Sequence, residues 1–295
     1  SGDEQCIIFS QLCNVLDPGI AVALSSVSNE LRAVTQPLLQ QLRADHEVAA
    51  ALCRNVLVMW SCKELREAKK VDCIVSHLSA AADLATLATL GSVLPALEGL
   101  QLYKSFCCAT TESDGVQRLA ERLGAGALPA VTLLQVNSMH VGDAGAVALA
   151  AALGRGAMPR LKHLFLGGTG IGDAGLVALA PSLRRLPALE TLVLSGNPFG
   201  DEGLAALVAP LPPPPAGALS PPTGVLTKLK KLQLDRTQVS DAGCAALSSA
   251  LNSRALPDLE HLYLRYLPAS AAAKAAVYET RLTRDGLEIY YEEAE

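Results

Sequence analysis

The sequence predicts an α/β solenoid: a stack of strand–turn–helix units with parallel strands, preceded by a small helical region. Three observations carry this. A short apolar frame, P-x-L-x-x-L-x-L, recurs along the chain. A D-x-G triplet follows it at a set distance, and an apolar run of helical spacing follows the triplet. Repetition is weighed before any isolated motif, because a repeat changes the meaning of each motif inside it.

The frame is clearest at Pro159, Leu161, Leu164 and Leu166. It returns as Pro129, Val131, Leu134, Val136; as Pro187, Leu189, Leu192, Leu194; and as Pro257, Leu259, Leu262, Leu264. Thr227, Leu229, Leu232, Leu234 lacks only the proline, and Pro95, Leu97, Leu100, Leu102 is the earliest clear copy. Apolar residues two apart, bounded by turn residues, spell a short strand with one buried face. The triplets are Asp143-Ala144-Gly145, Asp173-Ala174-Gly175, Asp201-Glu202-Gly203 and Asp241-Ala242-Gly243. The first copy has Ser113-Asp114-Gly115, displaced by a small insertion. Beyond the triplets, Leu176, Leu179, Leu183, then Leu204, Leu207, Leu211, then Ala245, Leu247, Leu251 keep helical spacing. Asp173 is expected to cap the helix it opens by accepting backbone N–H bonds, a contribution of about 1 kcal/mol.

These units of 28 to 30 residues resemble the leucine-rich repeat family, in its ribonuclease-inhibitor-like class, from Pro95 to about Tyr278. A single unit cannot hide its leucines; stacked neighbours make a continuous core. The resemblance implies a horseshoe with parallel strands on the concave face and helices on the convex face. The family usually places Asn or Cys after the strand to satisfy backbone groups of the turn. Here that position reads Ser105, Met139, Thr169, Asn197, Thr237 and Leu267. Thr and Ser supply part of that role and Met139 and Leu267 none, so irregular turns are expected.

The repeat disposes of a rival motif. Gly170-Ile171-Gly172-Asp173-Ala174-Gly175 is a literal G-x-G-x-x-G, with Glu190 twenty residues beyond, the pattern of a dinucleotide site. Sister copies hold His140, Pro198 and Gln238 at the position of Gly170. Asp173 also puts a carboxylate where a pyrophosphate would need positive potential.

Along the chain, residues 1–50 read as a small cluster of short helices, with restarts at Asp17-Pro18 and after Gln36-Pro37. Residues 51–93 read as degenerate capping units, with a first irregular strand at Val56–Trp60 and a helix over Ser79–Val93. Residues 94–278 hold the repeats, interrupted by a proline-rich loop at 209–225 that suits neither helix nor ladder. Residues 279–295 form a C-terminal cap and acidic tail, with Leu282, Leu287 and Ile289 covering the last repeat.

The order Leu12, Leu16, Asp17, Pro18, Leu24, Val27, Ser28 resembles the F-box motif. That resemblance implies docking of a Skp1-like adaptor of a cullin-type ubiquitin ligase, through Leu12, Leu16, Pro18, Leu24, Val27 and Leu31. The usual opening L-P-x-E is absent, and Leu31 stands near the place of an expected tryptophan. A plain helical cap accounts for the same leucines, and both readings stand.

In L-x-x-L-x-L the leucines point inward and the intervening residues face the concave side. The candidate protein-binding residues are Tyr103, Phe165, Lys231, Gln233, Asp235, Arg236, His261, Tyr263, Arg265 and Tyr266. Most lie in the C-terminal copies, where Tyr and Arg, the residue types that anchor interfaces, gather.

Composition narrows the rest. The chain has 295 residues, 50% hydrophobic but only 4% aromatic, so Leu, Ala and Val must build its interior. A net charge of −5 gives no electrostatic case for nucleic acid or a membrane surface. The weakly polar run from Leu84 to Leu97 is too short to span a bilayer. The start, Ser1-Gly2-Asp3-Glu4-Gln5, lacks the basic stretch of a signal peptide. Eight cysteines are scattered without metal-ligand spacing, as suits reduced thiols in a cytoplasmic or nuclear protein. His163 and His261 are not adjacent, and no G-x-S-x-G context supports a catalytic triad. The expectation is a non-enzymatic, monomeric module without cofactor or metal, taking another protein on its concave face. The repeat class also includes a GTPase-activating family, so a GTPase-regulating or plain scaffold role is the alternative.

Overall fold

Leu100, Leu134, Leu164, Leu192, Leu232 and Leu262 fall opposite one another on successive strands, and none is more than 2% exposed. Burying one such side chain stabilises by about 1.5–3 kcal/mol, so this column alone dictates the stacking. The computed structural model describes residues 17–27, 29–55, 61–75, 96–104, 115–137, 139–209, 226–253, 255–283 and 286–291. Its strands are β1 Lys70–Val75, β2 Gly99–Lys104, β3 Leu133–Asn137, β4 His163–Phe165, β5 Thr191–Val193, β6 Lys231–Gln233, β7 His261–Tyr263 and β8 Glu288–Tyr290. They form one parallel sheet in chain order.

Parallel neighbours require a crossover connection, which in the repeats is mostly a helix. These are α4 Gly115–Arg122, α5 Gly142–Gly154, α6 Asp173–Leu183, α7 Asp201–Val208, α8 Asp241–Asn252 and α9 Ala271–Glu279, after α1 Gly19–Ser25, α2 Asn29–Asn55 and α3 Cys62–Glu67. From α4 to α9 each helix packs on the next. Strands sit about 4.8 Å apart and packed helices about 8–10 Å apart. The sheet therefore takes the inside of a curve and the helices the outside. One core runs from Ala49 and Cys53 of α2 to Leu287 and Ile289.

Several expectations need correction. α2 is a single helix that runs through Pro37, rather than restarting after it. An internal proline costs about 3 kcal/mol, but the helix is held on both sides. Leu39 and Leu42 pack on Ala21 and Leu24 of α1, and Ala49 and Cys53 enter the solenoid core. Val27 lies in the bend between α1 and α2 and is 75% exposed, so the helical spacing through Leu24, Val27 and Leu31 is broken there. The sequence reading missed β1, which pairs with β2 from Lys70 to Val75. At the other end, the segment taken as a cap outside the frame adds a strand, β8, in register with β7. Leu287 and Ile289 are buried as expected, whereas Leu282 is 79% exposed and covers nothing. In α8 the buried line runs through Cys244, Leu247, Ala250 and Leu251, and Ala245 faces out. The proposed strand at 56–60, helix at 79–93, Leu211 and residues 210–225 lie outside the described residues.

Candidate functional site

The conserved geometry of each copy begins with its aspartate, and here the structure reverses the expected direction. Gly172 and Gly175 donate their backbone N–H groups to Asp143 Oδ1 at 2.7 and 3.0 Å. Gly200 and Gly203 donate to Asp173 Oδ1 at 2.9 and 2.7 Å. Ser240 and Gly243 donate to Asp201 Oδ1 at 2.8 and 2.9 Å, and Ser270 to Asp241 Oδ1 at 2.6 Å. Each aspartate caps the helix of the following copy, not the helix it opens. The triplet glycine permits this: a Cβ on Gly175 would lie 2.5 Å from Asp143 Oδ1, and one on Gly243 2.4 Å from Asp201 Oδ1. The amides of the G-x-G-x-x-G stretch that would hold a phosphate already hold a carboxylate.

After β4, β5 and β6 the turn is fixed by a polar side chain. Asn197 Nδ2 donates to the carbonyls of Leu166 and Leu194 at 2.7 and 2.8 Å. Its Oδ1 accepts from the Thr169 and Ile171 N–H groups at 3.1 and 3.0 Å. The Thr169 and Thr237 hydroxyls each donate to the carbonyl three residues back, at 2.9 Å, and the Thr169 hydroxyl also lies 3.2 Å from Asn197 Oδ1. Met139 and Leu267 are simply buried.

With leucines turned inward, the residues between them face the open side. The strands β4 to β7 each show half-exposed, buried, half-exposed side chains. Reading across, one exposed row is Leu133, His163, Thr191, Lys231, His261, Glu288, and the next is Gln135, Phe165, Val193, Gln233, Tyr263, Tyr290.

The C-terminal end of this face is the most organised. Tyr263 and Tyr290 stack with centroids 4.4 Å apart and planes at 10°. Lys231 Nζ lies 5.0 Å and Arg265 Cζ 5.6 Å from the Tyr263 centroid. Asp235, largely buried, accepts from the Arg265 backbone N–H at 2.8 Å and pairs with its guanidinium at 3.2 Å. That hydrogen bond and charge hold Arg265 firmly in its protonated form. His261 Nδ1 sits 3.2 Å from the Glu288 carboxylate, off the line of a good hydrogen bond. The Tyr290 hydroxyl donates to Glu288, and this bond, with some desolvation, pushes the Tyr290 hydroxyl up to about 12. Arg236 lies over Tyr266, its Cζ 4.9 Å from the ring centroid.

Of the residues singled out from sequence, Lys231, Gln233, Asp235, Arg236, His261, Tyr263, Arg265 and Tyr266 fall on or just after β6 and β7. Phe165 is two strands from β6 and Tyr103 four, roughly 10 and 19 Å away at strand spacing. The Tyr103 hydroxyl instead hydrogen-bonds the side-chain amide of Gln101 on the same strand. His163 and His261 are three strands apart, roughly 14 Å; His163 Nδ1 contacts Thr191 Oγ1 at 3.1 Å. Among the described residues, no group of three or more His, Cys, Asp or Glu could hold a metal. Nor is any helix there long and apolar enough to cross a membrane. Glu288 and Tyr290 were missed, although Leu287 and Ile289 repeat the alternation of the earlier strands. Glu190, offered by the dinucleotide pattern, pairs with Lys162 at 3.2 Å.

At the other end, Pro18 precedes α1, Leu24 is half-buried, and Ile20, Val22, Val27 and Leu38 are exposed. Leu12 and Leu16 lie outside the described residues, as does the side chain of Leu31.

A family model described as a leucine-rich repeat matches residues 158–180, 186–208 and 225–248. No curated protein matches the chain. Among solved structures, the actin-binding site 2 of leiomodin-1 matches with a TM-score of 0.38 at 13% identity, over 51% of this chain and 79% of the other. An internalin from Listeria monocytogenes matches with a TM-score of 0.32 at 13% identity, over 85% of this chain and 90% of the other.

Proposed function

We propose that this α/β leucine-rich repeat solenoid is a non-enzymatic protein-binding module that takes its partner on the concave face, at the β6–β8 end. One observation carries the reading. The Tyr263–Tyr290 stack, flanked by Lys231 and Arg265, offers pre-ordered aromatic and cationic side chains on an otherwise regular sheet. Such side chains lose little freedom on binding and dominate interface energies. The test uses the full chain as bait beside a Tyr263→Ala/Tyr290→Ala variant of equal thermal stability. The expected outcome is loss of the captured protein from the variant; equal capture by both would refute the proposal.

A finer reading is substrate recognition for a cullin-type ubiquitin ligase in the cytoplasm or nucleus, with a Skp1-like adaptor at the N-terminal helices. In its favour, α1 and the start of α2 have their own small core of Ala21, Leu24, Leu39 and Leu42. They also leave Ile20, Val22, Val27 and Leu38 outside it. Direct binding of Skp1 that disappears when Leu16, Pro18 and Val27 are changed together to Ala is the expected result. No Skp1 binding by the unaltered chain would remove the ligase link and leave the concave-face reading standing.

A further inference from the structure

The partner's chemistry follows from how charge is distributed at the β6–β8 end, if that end is the binding face as proposed above. We infer that this end binds an acidic, extended segment of a partner protein, whose carboxylates are received by Lys231 and Arg236.

Most cations here are already neutralised. Lys228 pairs with Asp258 at 3.6 Å, Lys230 with Glu260 at 3.7 Å and Arg265 with Asp235 at 3.2 Å. Of the remaining carboxylates, Glu288 accepts from the Tyr290 hydroxyl. Lys231 and Arg236 have no carboxylate within ion-pair distance among the described residues. Each is held over a tyrosine ring instead, Tyr263 and Tyr266 respectively. A cation over a ring stays charged and keeps its outward donors.

The Tyr263 ring itself is not free to receive a partner's cation. Tyr290, from β8, covers one face of Tyr263. Lys231 approaches from β6, on the other side of β7, together with Arg265. What the surface presents outward is therefore positive charge in fixed positions.

The backbone at this end is left-handed at two side-chain-bearing residues, as it also is at Leu128, Met158 and Leu226. After β4 and β5 the chain turns through a left-handed residue, Gly168 at φ 64° and Gly196 at φ 72°. At the matching position after β6 and β7 stand Arg236 at φ 56° and Tyr266 at φ 58°. Glycine takes this conformation freely, whereas any residue with a Cβ is disfavoured in it. Two sister copies hold glycine there, whereas these two place a stacked, exposed Arg–Tyr pair in the disfavoured conformation, the kind of strain that accompanies binding sites.

Spacing gives the shape of the occupant. Lys231 opens β6 and Arg236 stands in the turn that follows it, so the two cations mark the start of the strand and its exit. A partner segment lying along β6 from its start to that turn meets both with its acidic side chains. Two open cations beside Asp235, Glu260 and Glu288 do not make the continuous positive track that a phosphate backbone needs.

Fluorescence anisotropy on the full chain tests this with three labelled probes: hexaglutamate, hexalysine and a six-residue oligothymidylate. Hexaglutamate is expected to bind best and to weaken with added salt. It should weaken at least tenfold in a Lys231→Gln/Arg236→Gly variant and recover largely in Lys231→Arg/Arg236→Lys. Arg236→Gly places there the residue that two sister copies hold, Gly168 and Gly196, and glycine takes that conformation freely, so the variant keeps its fold, which a thermal melt verifies. Hexaglutamate binding no tighter than hexalysine, binding indifferent to the substitutions, or preference for the oligonucleotide would each overturn the inference. Protein capture that depends on Tyr263 and Tyr290 but persists in the Lys231→Gln/Arg236→Gly variant would overturn the acidic segment alone. Loss of dependence on the two tyrosines would instead overturn the binding face.

Discussion

Aspartate and glycine in the repeated triplet belong to two different contacts. Asp173 reaches forward to Gly200 and Gly203, while Gly175 leaves room for Asp143 behind it. Copies are thereby clamped one to the next by a carboxylate, which receives two amides at Asp143, Asp173 and Asp201 and the amide and hydroxyl of Ser270 at Asp241. Asp173→Ala removes the acceptor of both N–H groups at the entry of α7 and should cost about 1–2 kcal/mol in chemical denaturation; an unchanged midpoint would show that the clamp contributes nothing. The spacing of D-x-G revealed a helix-capping aspartate but not whose helix it caps, because one-dimensional spacing carries no information about which copy lies alongside. A second residue-scale expectation concerns the left-handed turn. A Cβ on Gly168 would meet nothing within 4 Å, so any cost of Gly168→Ala comes from backbone conformation alone, about 1 kcal/mol. Arg236→Gly, at the matching site, should show no such loss by the same denaturation measurement.

The helices illustrate what the sequence made legible and what it hid. The copies beginning at Pro129, Pro159, Pro187, Thr227 and Pro257 announce strand and helix because leucine spacing changes character within each. Lys70–Val75 hides because its copy lacks the proline and its flanking residues are polar. Glu288–Tyr290 hides because only Ile289 remains of its frame, with Gly286 and Tyr291 at the other two leucine positions, which also concealed Glu288 and Tyr290 at the binding end. Pro37 misled because its local cost is real, yet packing at both ends of α2 outweighs it. At α8 the inter-copy cap has a pH signature. Burial pushes the Asp201 carboxyl up, but the Ser240 hydroxyl, the Ser240 N–H and the Gly243 N–H together outweigh it and hold it below its ordinary value. A carboxyl lowered in the folded state stabilises above its unfolded pKa, about 3.9, and loses that contribution as pH falls toward the folded value. Thermal melts should therefore show the unaltered chain losing stability below about pH 4 more steeply than Asp201→Asn. Parallel acid limbs would contradict the role given to this carboxylate.

At the scale of the molecule, one buried core spans the sheet and its helices and also takes in the end of α2. The face of the sheet opposite the helices is the surface this stacking leaves free. The architecture was readable from six copies of one frame, whereas the organised cluster was not, since stacking of Tyr263 on Tyr290 joins segments that spacing alone does not align. The convex helices expose apolar side chains too, Val147 at 50% and Val177 at 37%, and they are the natural rival surface. Photo-crosslinking with benzoylphenylalanine placed singly at Phe165, Gln233, Val147 and Val177 compares the two faces directly. Adducts with a partner protein from Phe165 and Gln233, and none from Val147 or Val177, are the expected result. Adducts confined to Val147 and Val177 would contradict a concave binding face.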